Sequence, residues 1–368
     1  MPPHPRPEIE SLVPTPHGGY HADEWNARGT VIDFSSNVNP FGVSPRVRDA
    51  LHHAIIERHP DPDAGELRDV LATRWRLPHE CVIVGNGSLD LIRALAIAYI
   101  RSGDTALVIG PTFGEYRVAA ELMGAHVETC TALAQDDFHL DVQSAAAQVS
   151  ERHPRLAFIC NPNNPTGACL ARDQIVQLLS ASSETLWVLD EAFIAFVDQA
   201  WSSLDLLARF ENLVVMRSMT KDYAIPGLRL GYALADRDII AALNKVRAPW
   251  SVNVMAQAAG IAALNDDAFL CATLDKIRSA SSELRASITR LGWRVVPSTT
   301  HFFLVDVGDA RTFRATLASG GIIVRDCTSF GLPEYIRIAP RAPGENARLI
   351  ALLQDRLEHD EIDPSSSL

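Results

Sequence analysis

Short apolar runs alternate with amphipathic stretches through most of the chain. Residues 82–84, 105–109, 126–130, 156–160, 186–189 and 213–216 are apolar or β-branched runs of strand length. Between or before them, residues 45–58, 66–76, 89–99, 116–123 and 172–180 carry helical periodicity. This alternation predicts an α/β fold with a mostly parallel sheet covered by helices on both faces. Ligands of such sheets lie beyond the carboxyl ends of the strands. Unusual polar clusters follow several of the runs there: Gly85-Asn86-Gly87-Ser88, Gly110-Pro111-Thr112-Phe113, Asn161 to Gly167, and Asp190-Glu191-Ala192-Phe193. Residues 30–34 read as a further strand that ends in a polar turn, and 58–63 is held extended by Pro60 and Pro62. The rhythm changes near Pro249. Helical patterns at 253–264, 269–291, 311–318 and 346–357 with strand patterns at 293–297, 302–307 and 335–338 predict a smaller α+β domain. The expected division is an arm over 1–40 that packs with the small domain, a large domain over 41–248, the small domain over 249–360, and a frayed tail over 361–368.

Composition narrows the class. The chain has 368 residues, 47% hydrophobic and 21% charged, enough for a sizeable core. A net charge of -12 argues against a general affinity for nucleic acid or an anionic membrane. The opening residues are Pro-rich and polar rather than signal-like, and no apolar stretch is long enough to span a bilayer. The six cysteines are scattered without a CxxC pair. They read as reduced, and the expected location is cytoplasmic.

The stretch Ser218-Met219-Thr220-Lys221 through Pro226-Gly227-Leu228-Arg229 carries the candidate chemistry. A lysine at the mouth of a buried strand, crowded by cations and partly desolvated, has a lowered pKa. Its free amine can then form a Schiff base with a carbonyl. Arg229 and Ser218 offer a planar donor fork and a hydroxyl for a phosphate. Together they suggest a site for pyridoxal phosphate. The plain alternative is a solvated loop lysine.

With Asp190 and Lys221 in place, the order of segments resembles the fold-type I pyridoxal-phosphate enzymes of the aminotransferase class I/II superfamily, over nearly the whole chain. Within it, the chain looks most like the threonine-phosphate decarboxylases of the cobalamin pathway, with the histidinol-phosphate aminotransferases as near relatives. The resemblance implies a large domain with a seven-stranded type of sheet, a small α+β domain, and a homodimer with its active sites at the subunit interface. It implies Lys221 as the attachment point and proton shuttle, Asp190 as partner of the pyridine nitrogen, and Asn164 as donor to the cofactor's phenolic oxygen. Gly87, Ser88, Ser218 and Arg229 would hold the cofactor phosphate, and Phe113 would stack on the ring. His59 stands where relatives carry a tyrosine that reaches the neighbouring subunit's phosphate; an exposed loop histidine is the alternative. Phe193 stands where many relatives have a tyrosine, so a hydroxyl is lost. For the substrate, the resemblance implies Arg337 on the α-carboxylate, Arg325 on a distal phosphate, and contacts from His17, Gly18, Asn37 and Asn164. For Arg325 the rival is an ion pair with Asp326 or another acid, and for His17 a mobile arm residue. The expected reaction is decarboxylation of O-phospho-L-threonine or a similar phosphorylated amino acid. The alternative is transamination of an amino-phosphate such as histidinol phosphate.

Overall fold

The computed structural model describes residues 3–16, 31–198, 201–359 and 362. Its strands, in chain order, are β1 (Ile32–Asp33), β2 (Val82–Asn86), β3 (Thr105–Gly110), β4 (His126–Thr131), β5 (Leu156–Cys160), β6 (Leu186–Asp190), β7 (Leu213–Ser218), β8 (Leu230–Ala235), β9 (Phe303–Asp306), β10 (Ile322–Ile323), β11 (Arg325–Asp326) and β12 (Tyr335–Ile338). Seven of them form the main sheet in the order β2-β8-β7-β6-β5-β3-β4. β8 runs antiparallel to both neighbours, and the remaining pairs are parallel. β5 and β6 are buried along their full length, as a central strand covered on both faces requires.

Side-chain alternation splits the main sheet between two cores. Val108, Phe158, Val188 and Met216 pack with helices Ser88–Tyr99 and Arg237–Val246 on one face. Leu107, Ile159, Trp187 and Val215 pack with helices Val142–Arg152 and Arg172–Leu179 on the other. Along the sheet β3 is flanked by β4 on one side and β5 on the other, so the chain reverses direction there. The crevice at such a reversal, beyond the carboxyl ends, is where open α/β sheets bind ligands.

A second, smaller core surrounds the three-stranded antiparallel sheet β11-β12-β9. Phe34, Trp293, Phe303, Val305 and Ile336 are buried in it. β1 pairs in parallel with β10, which ties the segment after the arm to this core. Helix Asp267–Arg290 runs from one core to the other. Its first half holds Arg74 through Asp267 at 2.7 Å and Asn39 through Thr273 at 3.0 Å, while Leu284 and Ile288 lie in the small core. Helix Val254–Leu264 packs beneath β2 and β8 with Leu67 and Leu71, so the segment just past the expected boundary at 248 joins the large core.

Some elements depart from the sequence pattern. The helix expected over 45–58 ends at His52, where the β-branched pair Ile55-Ile56 and the prolines beyond take the chain out of helical geometry. The strand expected over 293–297 is reduced to one bridge, Val295 to Val305. β8 and helix Arg237–Val246 were not anticipated.

Gly231 on β8 sets how closely the sheet approaches the start of helix Ser88–Tyr99. A Cβ there would lie 2.6 Å from the Ser88 amide nitrogen and 2.9 Å from the Gly87 carbonyl carbon, both backbone atoms. Gly231→Ala is therefore expected to destabilise the protein by about 1–3 kcal/mol through overpacking. Gly227→Ala, whose new methyl meets nothing within 4 Å, is expected to be close to neutral. Thermal denaturation of the two variants checks this, and equal melting temperatures would contradict it.

Candidate active site

β7 ends at Ser218, and the turn that follows sets Lys221 at the mouth of a cavity of about 470 Å³. Asn37, Ser88, Phe113, Asn164, Asp190, Ser218, Arg229, Arg325 and Arg337 line the same cavity. They come from both cores, so the site lies in the cleft between them. Burial pushes the Lys221 amine down to about 8, and the Arg337 and Arg229 guanidiniums push in the same direction, while Asp190 opposes them. A substantial fraction of the amine is thus neutral near physiological pH.

Asp190 closes β6 at the end of a wholly buried run. Burial raises its carboxyl to about 6, held back by two donors. The Tyr116 hydroxyl donates to Oδ2 at 2.8 Å and the Ala192 amide to Oδ1 at 2.9 Å. Tyr116 is itself locked in place: its ring stacks on Phe158 at 5.0 Å and meets the edge of Phe113 at 5.6 Å. Its own hydroxyl is pushed well above the usual phenol range by burial and by Asp190, so it stays a donor. The sequence reading missed Tyr116. Its signal was a tyrosine in an apolar helix, which needs a partner for its hydroxyl when buried.

The opposite end of the cavity is built for an anion. Helix Ser88–Tyr99 starts directly behind β2, and its N-cap is Gly87, with φ of 78° and no capping side chain. The first amide groups of that helix therefore remain free of a side-chain cap, a ready phosphate site. The positive φ favours glycine at position 87, and a Cβ there would lie 2.7 Å from Arg229 Nη2 and displace the guanidinium. Arg229 sits in the left-handed region with φ of 59°, and its Nη1 donates to the Pro226 carbonyl at 3.1 Å. The Ser218 and Thr220 hydroxyls lie 2.8 Å apart. Thr220 lines the cavity as well and was not singled out from sequence. This donor set, with Lys221 and Asp190 beyond it, fits pyridoxal phosphate.

On the small-core side, Arg337 projects from β12 and is 5% exposed. Its Nη2 donates to the Ser35 carbonyl at 2.7 Å, its Nη1 to Asn164 Oδ1, and its guanidinium lies 5.4 Å from the Phe302 ring. Nε is buried without a partner among the described residues. Burial lowers its pKa to about 10. Arg325 on β11 donates from Nη2 to the Pro16 carbonyl at 2.8 Å and to Ser329 Oγ at 2.7 Å. The rival ion pair with Asp326 does not form, since Asp326 Oδ1 accepts from the Thr328 amide and hydroxyl instead. Arg325 and Arg337 are direct cross-strand partners.

Asn37 is buried, and its carbonyl lies 3.2 Å from His301 Nε2. Phe193 lines the cavity, buried edge-on against Phe302 at 4.8 Å. His59 is not in the cavity; it is exposed and stacks on Trp250 at 5.0 Å. His17 and Gly18 lie outside the described residues.

Comparison with known proteins agrees with this geometry. The profile of aminotransferase class I and II matches residues 29–354. Histidinol-phosphate aminotransferase from Symbiobacterium thermophilum is 38% identical over 332 residues, covering 89% of this chain and 91% of that protein. The structure of histidinol-phosphate aminotransferase from Sinorhizobium meliloti in complex with pyridoxal 5′-phosphate superposes with a TM-score of 0.87 at 25% identity, over 96% of this chain and 97% of that one. L-threonine-O-3-phosphate decarboxylase from Porphyromonas gingivalis superposes with a TM-score of 0.78 at 29% identity, over 89% of this chain and all of that one. The chain belongs to the aminotransferase class I and II family of fold-type I, pyridoxal-phosphate-dependent enzymes.

Proposed function

We propose that the protein is an aminotransferase of the histidinol-phosphate type, moving an amino group between a phosphorylated amine and a 2-oxo acid. The observation that carries this reading is the pair of arginines facing each other across β11 and β12. Like charges directly opposite in a sheet are destabilising. Both guanidiniums line the same cavity, and among the described residues neither forms an ion pair with a carboxylate. Such a site suits anionic ligands, the phosphate of the amine in one half of the exchange and the carboxylate of the oxo or amino acid in the other. Arg337 offers a planar fork for the carboxylate of the amino or oxo acid, and Arg325 a second cation for the distal phosphate. The sequence relatives named histidinol-phosphate aminotransferase support transfer over decarboxylation.

When bound, pyridoxal phosphate supplies an electron sink for the pair released when a bond at the substrate's α-carbon breaks. The chain's own residues would act around it. Gly87 and Ser88 amides, the Ser218 hydroxyl and Arg229 hold the phosphate. Phe113 covers the ring face and excludes water. Asn164 spends Oδ1 on Arg337, which leaves its amide donor for the phenolic oxygen. Asp190, held by Tyr116, would pair with the pyridine nitrogen and keep it protonated. Lys221 would hold the cofactor through Nζ, and its neutral Nζ would accept the proton from the substrate's α-carbon.

A second reading, decarboxylation of O-phospho-L-threonine, has one observation in its favour. The Porphyromonas decarboxylase matches this chain at higher identity than the Sinorhizobium aminotransferase does, 29% against 25%. The cofactor cage serves both reactions. They differ in which bond at the α-carbon stands perpendicular to the ring. A cobalamin-type pathway belongs to this second reading only.

The protein is also proposed to work as a homodimer. Ile55, Ile56 and Trp250 are 53%, 69% and 49% exposed, large apolar side chains that a second copy would cover, and His59 stacks against Trp250. That placement would let His59 approach the partner's phosphate end.

Two outcomes are expected. Purified holoenzyme given L-histidinol phosphate and a 2-oxo acid should form the corresponding amino acid, and given O-phospho-L-threonine alone it should release no CO2; CO2 release with steady turnover would establish the decarboxylase instead. Arg325→Ala should raise KM for the phosphorylated amine by roughly 10- to 100-fold, the worth of a charge-assisted hydrogen bond, while leaving the dephosphorylated amine unaffected. Steady-state kinetics with both amines checks this, and an equal loss for both would remove Arg325 from the phosphate site.

A further inference from the structure

Strands β6 and β7 deliver the two ends of the cofactor cage, Asp190 and the turn from Ser218 to Lys221. Their backbone ladder stops short of it. The last paired register is Asp190 with Met216, followed by a single bond from the Glu191 amide to the Met216 carbonyl at 2.8 Å. Beyond that point the backbone no longer sets the distance between the strand ends.

A side-chain pair takes over on the reverse side. Val188, Val214 and Met216 face one core, whereas Trp187, Leu189, Leu213 and Val215 face the other. By the same alternation Asp190 and Ser218 leave on the first face, and Glu191 and Arg217 on the opposite one. Glu191 and Arg217 are not among the residues lining the cavity. Arg217 donates from Nε at 3.1 Å and from Nη2 at 2.8 Å to Glu191 Oε2. Glu191 Oε1 accepts from the Ser203 amide at 2.6 Å. The Ser202 hydroxyl donates to Glu191 at 3.2 Å and accepts from Arg217 at 2.8 Å, which closes the network. The Arg217 guanidinium lies 4.5 Å from the Trp75 ring, whose Nε1 donates to the Tyr232 hydroxyl at 3.2 Å. The side chains are 14% and 1% exposed.

We infer that Glu191 and Arg217 form a positioning clamp that sets the spacing between Asp190 and Ser218, and so the fit of the cage to both ends of the cofactor. The inference rests on the pyridoxal-phosphate reading of the cavity. Each clamp residue is the immediate chain neighbour of a cage residue, Glu191 of Asp190 and Arg217 of Ser218. A buried ion pair stabilises little compared with apolar residues of the same volume, but breaking one partner is costly. What the pair adds over an apolar filling is a fixed donor-acceptor geometry, here at the point where the ladder ends. Neither residue touches substrate or cofactor.

The test separates geometry from stability. The double variant Glu191→Leu/Arg217→Met and the single variant Arg217→Lys are prepared as apoenzymes. Melting temperature, pyridoxal phosphate affinity by absorbance titration, kcat and KM are measured for each. The double variant is expected to melt at or above the parent. It should bind pyridoxal phosphate roughly tenfold more weakly, with kcat lower by on the order of a hundredfold and KM little changed. Arg217→Lys, which keeps the charge and loses the fork, should fall between. A double variant with parental cofactor affinity and kcat would overturn the clamp, whatever its melting temperature. If the double variant does not fold, parental affinity and kcat in Arg217→Lys would overturn it equally. A parent that takes up no pyridoxal phosphate would overturn the cofactor reading itself, a result distinguishable from both.

Discussion

The site is organised by positive charge that the protein does not neutralise. Lys221, Arg325 and Arg337 line one cavity, and Arg229 closes its phosphate end. Placing cations this close, partly out of water, is costly unless anions share the space. The fold answers Arg337 with neutral dipoles, the Ser35 carbonyl and Asn164, rather than with a carboxylate. Two carboxylates stand in the cavity wall: Asp190 is bound to Tyr116 and raised to about 6, and Asp33, whose charge acts on Arg337, accepts from the Ser35 amide and hydroxyl without forming an ion pair with the arginine. The cavity is therefore suited to anionic ligands, which is the basis of the proposed roles of Arg229, Arg325 and Arg337. Burial, reinforced by Arg337 and Arg229, pushes Lys221 down to about 8, so that part of its amine is neutral near physiological pH.

Each end of the cavity is held by a different core. β2, β6, β7 and the start of helix Ser88–Tyr99 belong to the large sheet, and Arg325, Arg337 and Ser35 to the small one. The cores meet through apolar clusters such as Phe138 with Tyr335 and Phe193 with Phe302, and through polar bridges near the site. Arg337 reaches Asn164, the Thr299 amide bonds the Gly167 carbonyl at 2.9 Å, and His301 meets Asn37. Substrate recognition and cofactor binding are thus coupled through the loop from Asn161 to Gly167. In the proposed function, the cage residues would serve any reaction at the α-carbon, while the arginines of the small core would select the substrate. Such a division is consistent with this fold being shared by the histidinol-phosphate aminotransferase and the decarboxylase that superpose on it.

Much of this was legible in the sequence where a local pattern carries the information. β5 occupies the residues that its apolar run marks, since a strand buried throughout leaves no polar position to blur its ends. The lysine stretch, Asp190 at a strand end and the Asn161–Gly167 segment were visible as polar clusters after apolar runs. What escaped depends on long-range pairing. β10 and β11 are two residues each, too short for a period to register. β8 followed the lysine loop so closely that its apolar residues read as part of that loop, although it is buried throughout. Helix Arg237–Val246 had a readable signal in Asp236, whose side chain caps the Asp238 amide. Tyr116 and the Glu191–Arg217 pair gain their meaning only from partners 74 and 26 residues away. The carbonyl of Ser35 meets Arg337 across 302 residues, a contact no local pattern encodes.

Lysine 221 as the cofactor's attachment point is the claim on which the account rests, and composition makes it directly measurable. The chain has only three lysines, Lys221, Lys245 and Lys276. Lys245 and Lys276 are exposed on helices, outside the cavity. Holoenzyme reconstituted with pyridoxal phosphate is reduced with borohydride, digested, and its peptides are weighed. The account predicts a stoichiometric pyridoxyl group on the peptide containing Lys221, with the other two lysines unmodified. Label on Lys245 or Lys276 at comparable yield, or none on Lys221, would contradict it.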